Sequence, residues 1–381
     1  MRRKNVKFAL FILLFITVWS CEERNEPDYN PALENPLLID GPYIMYEQDG
    51  VLAYFTDIRG KLLSSFIMPD EDILVIAPKK EPEEFFFKLM DEFQECPVIS
   101  DNSNQILAIS DIEGNYYAFT RLLIGNGVVD ESLNWTFGTN HLVLVGDMVD
   151  RGSYVTQVLW LIYKMDKDAE EAGGRVHFIL GNHDIMCMAG DDRYADEKYI
   201  KMAQRLNLEY KELYGENSEI GRWMRKNNAI EKIGNYLFVH GGISPHVLEL
   251  DLSIEEMNDL IKPYYGEIIY PSCPDEVYTL YKTTGLFWYR GYFKSNEGIY
   301  EKATQEEVDA ILDYYDAGSI IVGHTLVNEI DARYNNSVYA IDVLHPDNQY
   351  SNLELQALLI ENNNFFRVNE FGDRFPVLQI Q

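Results

Sequence analysis

The chain has 381 residues, 46% hydrophobic and 25% charged, proportions that exclude a disordered, collagen-like or low-complexity protein. Its 62 acidic residues against 32 basic ones give a formal net charge of -30. Such acidity argues against nucleic acid as a partner, because phosphates need a basic surface. At first sight it argues against any phosphorylated substrate too, and motifs further along the chain oppose that.

Residues 1–7 carry four positive charges, and Phe8–Trp19 follows as a 12-residue apolar run. A bilayer span takes roughly 20 residues, so this run fits the apolar part of a secretory signal. Val18-Trp19-Ser20-Cys21 resembles the lipobox of bacterial lipoproteins, with Trp19 an imperfect match. The resemblance implies a signal peptide over 1–20, lipidation at Cys21 and a bacterial membrane anchor, in the outer membrane, periplasmic or surface-exposed. An ordinary signal peptide cleaved nearby is the bland alternative. Loss of residues 1–20 leaves a side-chain charge of -34. Residues 21–42 are acidic and proline-bearing and read as a flexible tether. The acids directly after Cys21 resemble export signals of Bacteroidetes-type surface lipoproteins. Cys96, Cys187 and Cys273 then allow at most one disulfide within a monomer, and no cysteine pair has zinc-site spacing.

Asp49-Gly50, between Tyr43–Tyr46 and Val51–Phe55, signals a hairpin and a small β-rich extension over 43–104. Residues 81–95 read as a short amphipathic helix within it. From residue 105 the texture changes. Short apolar runs at Ile106–Ser110, His141–Val145, Val176–Leu180, Tyr236–Val239 and Ser319–Val322 each end near a polar, ligand-type residue. Such runs suit strands buried on both faces. Tyr117–Leu123 and Val155–Asp166 have helical spacing, giving a βαβ rhythm with a site at the strand ends. Residues 191–232 read as a helical insertion in a domain spanning 105–350. Leu353–Ile360 and Phe365–Phe371, around Asn362-Asn363-Asn364, read as a hairpin over 351–381 that packs on that domain and adds edge strands.

The residues closing the five runs are Asp111, Glu113, Asp147, Asn182, His183, His240 and His324. Carboxylates, imidazoles and an amide oxygen suit Mn²⁺, Fe or Zn²⁺. Two-metal hydrolases need a carboxylate shared by ions about 3.5–4 Å apart, with separate ligands for each. In Gly146-Asp147-Met148-Val149-Asp150-Arg151-Gly152 an acid and an arginine leave one strand end together, a metal ligand beside a phosphate clamp. Each piece alone has a bland reading: a turn, a helix cap, a satisfied histidine. Their joint occurrence at strand ends does not.

Asp111-Ile112-Glu113-Gly114-Asn115, the Gly146–Gly152 segment, Gly181-Asn182-His183-Asp184, Val239-His240-Gly241-Gly242 and Gly323-His324-Thr325 resemble the calcineurin-like metallophosphoesterase superfamily. Arg193-Tyr194, His240–Pro245 and Gly285–Arg290 look more like its bacterial Shewanella-like phosphatase branch. The resemblance covers about residues 106–345. It implies an α/β sandwich of two mixed β-sheets flanked by helices in four layers, and a phosphatase of phosphoproteins (Ser/Thr or Tyr). Two divalent ions would be held: Asp111 and Glu113 on the first, Asp147 bridging, Asn182, His240 and His324 on the second. A metal-bridging hydroxide would be the nucleophile and His183 the general acid, oriented by Asp150. Arg151 and Arg290 would hold the phosphate.

Glu113 departs from the pattern, which has His there. A degenerate site is one reading; substitution by another ligand is the favoured one, since the other motif residues are all present. Three carboxylates against two divalent ions leave +1, and the two arginines raise the site to +3. Oxygen-rich ligation favours Mn²⁺ or Mg²⁺ over Zn²⁺, with Fe as a further alternative. The partner implied is a phosphorylated protein or small molecule, with membrane contact through the lipid anchor only and the oligomeric state open. A nucleotide or dinucleoside-polyphosphate hydrolase and a catalytically silent binding lipoprotein are the alternative functions.

Overall fold

A computed structural model describes residues 39–78, 83–346 and 353–379. The signal, the lipobox with Cys21 and most of the tether therefore lie outside the described residues. No helix among the described residues is long and apolar enough to cross a membrane.

Strands β1 (Asp40–Glu47) and β2 (Gly50–Thr56) pair antiparallel with Glu47 opposite Gly50, and β3 (Leu62–Phe66) adds to them. The hairpin turns at Gln48-Asp49, with Gly50 already the first residue of β2, one position off the expected Asp49-Gly50 turn, and its first strand starts inside the stretch read as tether. Strand β4 (Ile73–Ala77) pairs with β5 (Glu83–Phe87), so the helix expected over 81–95 is not there. Phe85 and Phe87 are buried while Glu84 and Phe86 face out, a period of two that overrides the amphipathic helical pattern. Phe87 stacks on Trp160 at 4.4 Å, fixing that register. Residues 88–95 form neither helix nor strand.

The body is two packed mixed sheets. One, of six strands, holds β7 (Gln105–Ile109), β8 (His141–Val145) and β9 (Arg175–Ile179) in parallel. The other, of seven, runs from the short β6 (Ile99–Ser100) through β10 (Ile230–Ile233), β11 (Tyr236–Val239), β12 (Ser319–Val322) and β14 (Val338–Ala340) to β13 (Asp331–Arg333). Within it, β11, β12 and β14 are parallel. Alternate residues divide between two cores. Ile106, Ala108, Val143, Val145 and Ile179 meet Phe238, Ile321 and Tyr339 between the sheets. Leu107, Ile109, Leu142 and Leu144 face the outer layer with the helices. Both faces of β7, β8, β9, β11 and β12 are dry, which is why the runs are continuously apolar.

Helix α1 (Tyr116–Gly125) follows β7, α2 (Val155–Ala172) follows β8, and α3 (Asn182–Ala189) follows β9. The insertion contains α4 (Glu197–Arg205), a 3₁₀ turn at Tyr210–Tyr214 and α5 (Glu219–Arg225). Its end is not helical: Ile230–Ile233 is strand β10, inside the seven-stranded sheet. Glu231 interrupts the apolar run and hides it, and its carboxylate is buried against His177 Nδ1 at 2.5 Å. Further helices, α6 (Pro245–Leu248), α7 (Ile254–Ile261), α8 (Asp275–Tyr281) and α9 (Gln305–Tyr314), complete the outer layers.

The C-terminal hairpin, β15 (Ala357–Glu361) and β16 (Asn364–Val368), turns at Asn362-Asn363, both at positive φ. Strand β15 pairs antiparallel with β7, and β17 (Arg374–Pro376) follows β16. Strand β18 (Leu378–Gln379) crosses to pair with β13 in the other sheet, an exchange between sheets not anticipated from the sequence.

Candidate metal centre

Six strand ends converge. Asp111 and Glu113 follow β7, Asp147, Asp150 and Arg151 follow β8, and Asn182 and His183 begin α3 after β9. From the facing sheet come His240 after β11, His324 after β12, and Asp342 after β14. The first two loops are zipped by backbone bonds from Asp111 N to Gly146 O (3.0 Å), Glu113 N to Asp147 O (2.9 Å) and Gly152 N to Glu113 O (2.8 Å).

Asp111, Glu113, Asp147, Asp150, Arg151 and His324 all have φ between 49° and 69°. Non-glycine residues rarely adopt this left-handed backbone, and here it turns the side chains inward from the strand ends. Gly146, at φ 82°, leaves no room for a side chain: a Cβ would lie 2.5 Å from His240 Nδ1 and 2.6 Å from the Gly181 Cα. A Cβ at Gly181 would in turn fall on the Asp147 carboxylate.

The donor atoms form two groups sharing Asp147. Asp147, His240 and His324 each offer an atom within 4.8 Å of the others; so do Glu113, Asp147 and His183. His240 Nδ1 donates to Val145 O at 2.8 Å, leaving Nε2 to face Asp147 Oδ2 at 3.1 Å and Asn182 Oδ1 at 3.0 Å. Asp111 falls in neither group. Its Oδ2 accepts from Ser110 Oγ and from His324 N. Glu113 lies where its carboxylate meets the guanidinium of Arg151.

Electrostatics fit a cation. Burial pushes the carboxyl of Asp111 up, with added repulsion from Asp147, and does the same to Asp342, repelled by Asp111 and Asp147. Burial also works to raise Asp147, yet His240, His183 and His324 hold it low. His240 is held high by Asp147 and Asp111 despite its burial. Buried anions thus gather with imidazole and amide donors, the donor chemistry of hard and borderline divalent ions.

His183 Nδ1 donates to Asp150 Oδ2 at 2.8 Å, which leaves Nε2 available. His183 N also donates to Asp147 Oδ1 at 2.8 Å. The Arg290 Nη1 donates to His324 O and, at 3.2 Å, to Thr325 Oγ1. The Arg151 guanidinium lies 5.4 Å from the Tyr194 ring, whose edge meets His183 at 5.0 Å.

The sequence reading gave no role to Asp184 or Asp342. Asp184 is buried and accepts from Asp147 N (2.8 Å), Gly181 N (2.8 Å) and Met148 N (3.2 Å), so it holds the Asp147 loop. Burial raises its carboxyl to about 7, with Asp147 adding to the rise. Its signal was its place at the third position of a helix start. Asp342 closes the run Val338–Ile341 as the other acids close theirs, but the asparagines before that short strand masked it. The three described cysteines are all free, and burial pushes the Cys96 thiol to about 12.

Residues 105–328 match the calcineurin-like phosphoesterase family. The chain is 29% identical over 244 residues to Shewanella-like protein phosphatase 1 of Plasmodium berghei, covering 63% of this chain and 67% of that one. It is 25% identical over 246 residues to Shewanella-like protein phosphatase 2 of Arabidopsis thaliana, covering 53% of this chain and 61% of that one. Among solved structures, the cold-active protein-tyrosine phosphatase of a psychrophile Shewanella species superposes with a TM-score of 0.78 at 32% identity, covering 89% of this chain and 99% of that one.

Proposed function

Because the chain belongs to the calcineurin-like phosphoesterase family, we propose that it is a phosphoprotein phosphatase, a metal-dependent hydrolase of phosphomonoesters on protein side chains. One observation carries the reading: the carboxylate of Asp147 lies within reach of His240 and His324 from the facing sheet and of Glu113 from its own. The names of the relatives, protein phosphatases and a protein-tyrosine phosphatase, support the substrate class.

Asp111, Glu113, Asp147, Asn182, His240 and His324 would hold two divalent ions. Bound there, such ions supply Lewis acidity and lower the pKa of water. The remaining chemistry falls to the chain. Arg151 and Arg290 place guanidinium groups for the phosphate oxygens, where negative charge must be matched in the transition state. His183, with Nδ1 tied to Asp150, presents Nε2 to donate a proton to the leaving oxygen.

The test is a panel of aryl phosphate, phosphoserine, phosphothreonine and phosphotyrosine peptides and nucleotides, assayed with apo-protein reconstituted metal by metal. Mn²⁺ or Mg²⁺ is expected to serve best, because Glu113 makes the ligand set oxygen-rich. A clear Zn²⁺ optimum would overturn that preference. Asp147→Asn and His183→Asn should each lose about 10²-fold or more. Activity surviving both changes would remove the assignment, and a preference for nucleotides would move it to a nucleotide hydrolase.

Export and lipid anchoring through Cys21 belong to the same proposal. Its support is the lipobox-like Val18-Trp19-Ser20-Cys21. Cys21→Ser should shift the protein from the membrane to the soluble fraction of fractionated cells; an unchanged distribution would discard the anchor.

A further inference from the structure

A cavity of about 440 Å³ opens beside the metal centre, lined by Trp288, Arg290, Lys294 and Tyr300 among others. It adjoins the centre, because two of its walls also touch a candidate ligand. The Trp288 ring meets His324 edge-on at 5.7 Å, and Arg290 bonds the His324 carbonyl. Tyr300 OH accepts from Arg290 N at 3.3 Å, tying the far wall to the same residue.

Lys294 is the unexplained member. Its backbone N donates to Arg290 O at 3.1 Å, closing a single turn of chain, and both residues line the same cavity. Arg290 is directed to the metal side, and exposed Lys294 lines the cavity one turn further out. Among the described residues no carboxylate lies within ion-pair distance of Lys294. The two cations and the single acid lining the cavity, Glu297, leave it positive in a chain of net charge -30.

We propose that this cavity is a subsite for a carboxylate of the substrate, with Lys294 as its recognition residue. The proposal rests on the phosphoprotein phosphatase reading and names the sequence that the phosphatase prefers. Residues one turn apart place their Cβ atoms about 5–6 Å from one another. An extended peptide advances about 3.3 Å per residue and returns to the same face every second residue. With the phosphate at Arg290, the carboxylate at Lys294 therefore belongs to an acidic residue two positions from the phosphorylated one.

The test uses the full metal-loaded protein and four phosphopeptides: Glu at both second positions, Glu at both adjacent positions, Lys at both second positions, and Gln throughout. Wild type should prefer the first over the neutral peptide about fivefold in kcat/KM, carried by KM. Lys294→Ala should bring that ratio near one, and Lys294→Glu should favour a peptide with Lys at the second positions. Being exposed, Lys294 tolerates both changes, and circular dichroism checks the fold. A wild-type ratio near one, or a ratio that neither variant alters, overturns the subsite while hydrolysis of aryl phosphate leaves the phosphatase reading standing. Dependence on Lys294 for nucleotides alone overturns the peptide occupant. If wild type hydrolyses no phosphomonoester with any metal, both proposals fall.

Discussion

Left-handed backbone at six charged or ligating residues of one centre costs on the order of 1–2 kcal/mol per residue. It persists because surrounding bonds over-determine it. Asp184 is the clearest of these restraints. It sits where no ligand role is needed, and its carboxylate collects the N–H groups of Asp147, Met148 and Gly181. Asp184→Asn replaces one acceptor oxygen by a donor facing those same donors, so one bond becomes a repulsion. The loop carrying Asp147 should then loosen, and metal affinity should fall about 10–100-fold, the usual cost of losing an outer support of a ligand. Isothermal titration with Mn²⁺, beside an unchanged far-ultraviolet dichroism spectrum, measures it. Wild-type affinity in the variant would mean that the zipped β7 and β8 loops hold Asp147 without this carboxylate.

Neighbouring strands carry a second buried polar group, away from the centre. His141 opens β8 opposite Arg175 of β9, and His177 lies two residues further along β9, with His141 Nδ1 and His177 Nε2 3.1 Å apart. His177 Nδ1 is paired with Glu231 of β10 in the other sheet at 2.5 Å. Burial pushes His141 down to about 4, helped by His177 and Arg175. A histidine held low binds fewer protons folded than unfolded, so stability is full above about 6.5 and is lost as pH falls toward 4. With partial exposure discounted, the loss is about 1–2 kcal/mol. Urea midpoints at pH 7.5 and 5 should fall less for His141→Gln than for wild type; equal losses would place the acid sensitivity elsewhere. The same strands show what could be read in advance. Runs dry on both faces, such as Leu142–Val145, are visible because no polar residue breaks them. Strand β10 was missed because Glu231 is paired with His177, a residue distant in sequence, as well as with nearby Asn228, and β5 because three consecutive phenylalanines suit either periodicity until Trp160 selects one. The site was legible wherever a candidate ligand closes such a run. Asp342 escaped because its strand is three residues long, and Lys294 because a subsite needs a cavity, which no local pattern encodes.

Over the whole molecule the charge of -30 and the arginines of the proposed phosphate site act at different ranges. The Debye length is roughly 30 Å at 0.01 M salt and about 8 Å at 0.15 M. At low salt an approaching dianion feels the acidic body before it reaches Arg151 or Arg290; at physiological salt it feels little until contact. For a small aryl phosphate, kcat/KM should therefore rise about two- to threefold from 10 to 150 mM salt while kcat stays level, because only the encounter is affected. A peptide of net positive charge should show the reverse slope. The two slopes together separate the body from the site: if the small dianion were also slowed by salt, the field at the entrance would be set by the arginines and the metal ions rather than by the surface. Charge reversal by Lys in place of exposed acids such as Glu255 and Asp259 on α7 should flatten the first slope without altering kcat. The acidity of the chain is thus compatible with phosphate chemistry, because screening confines the decisive interactions to the few ångströms around Asp147.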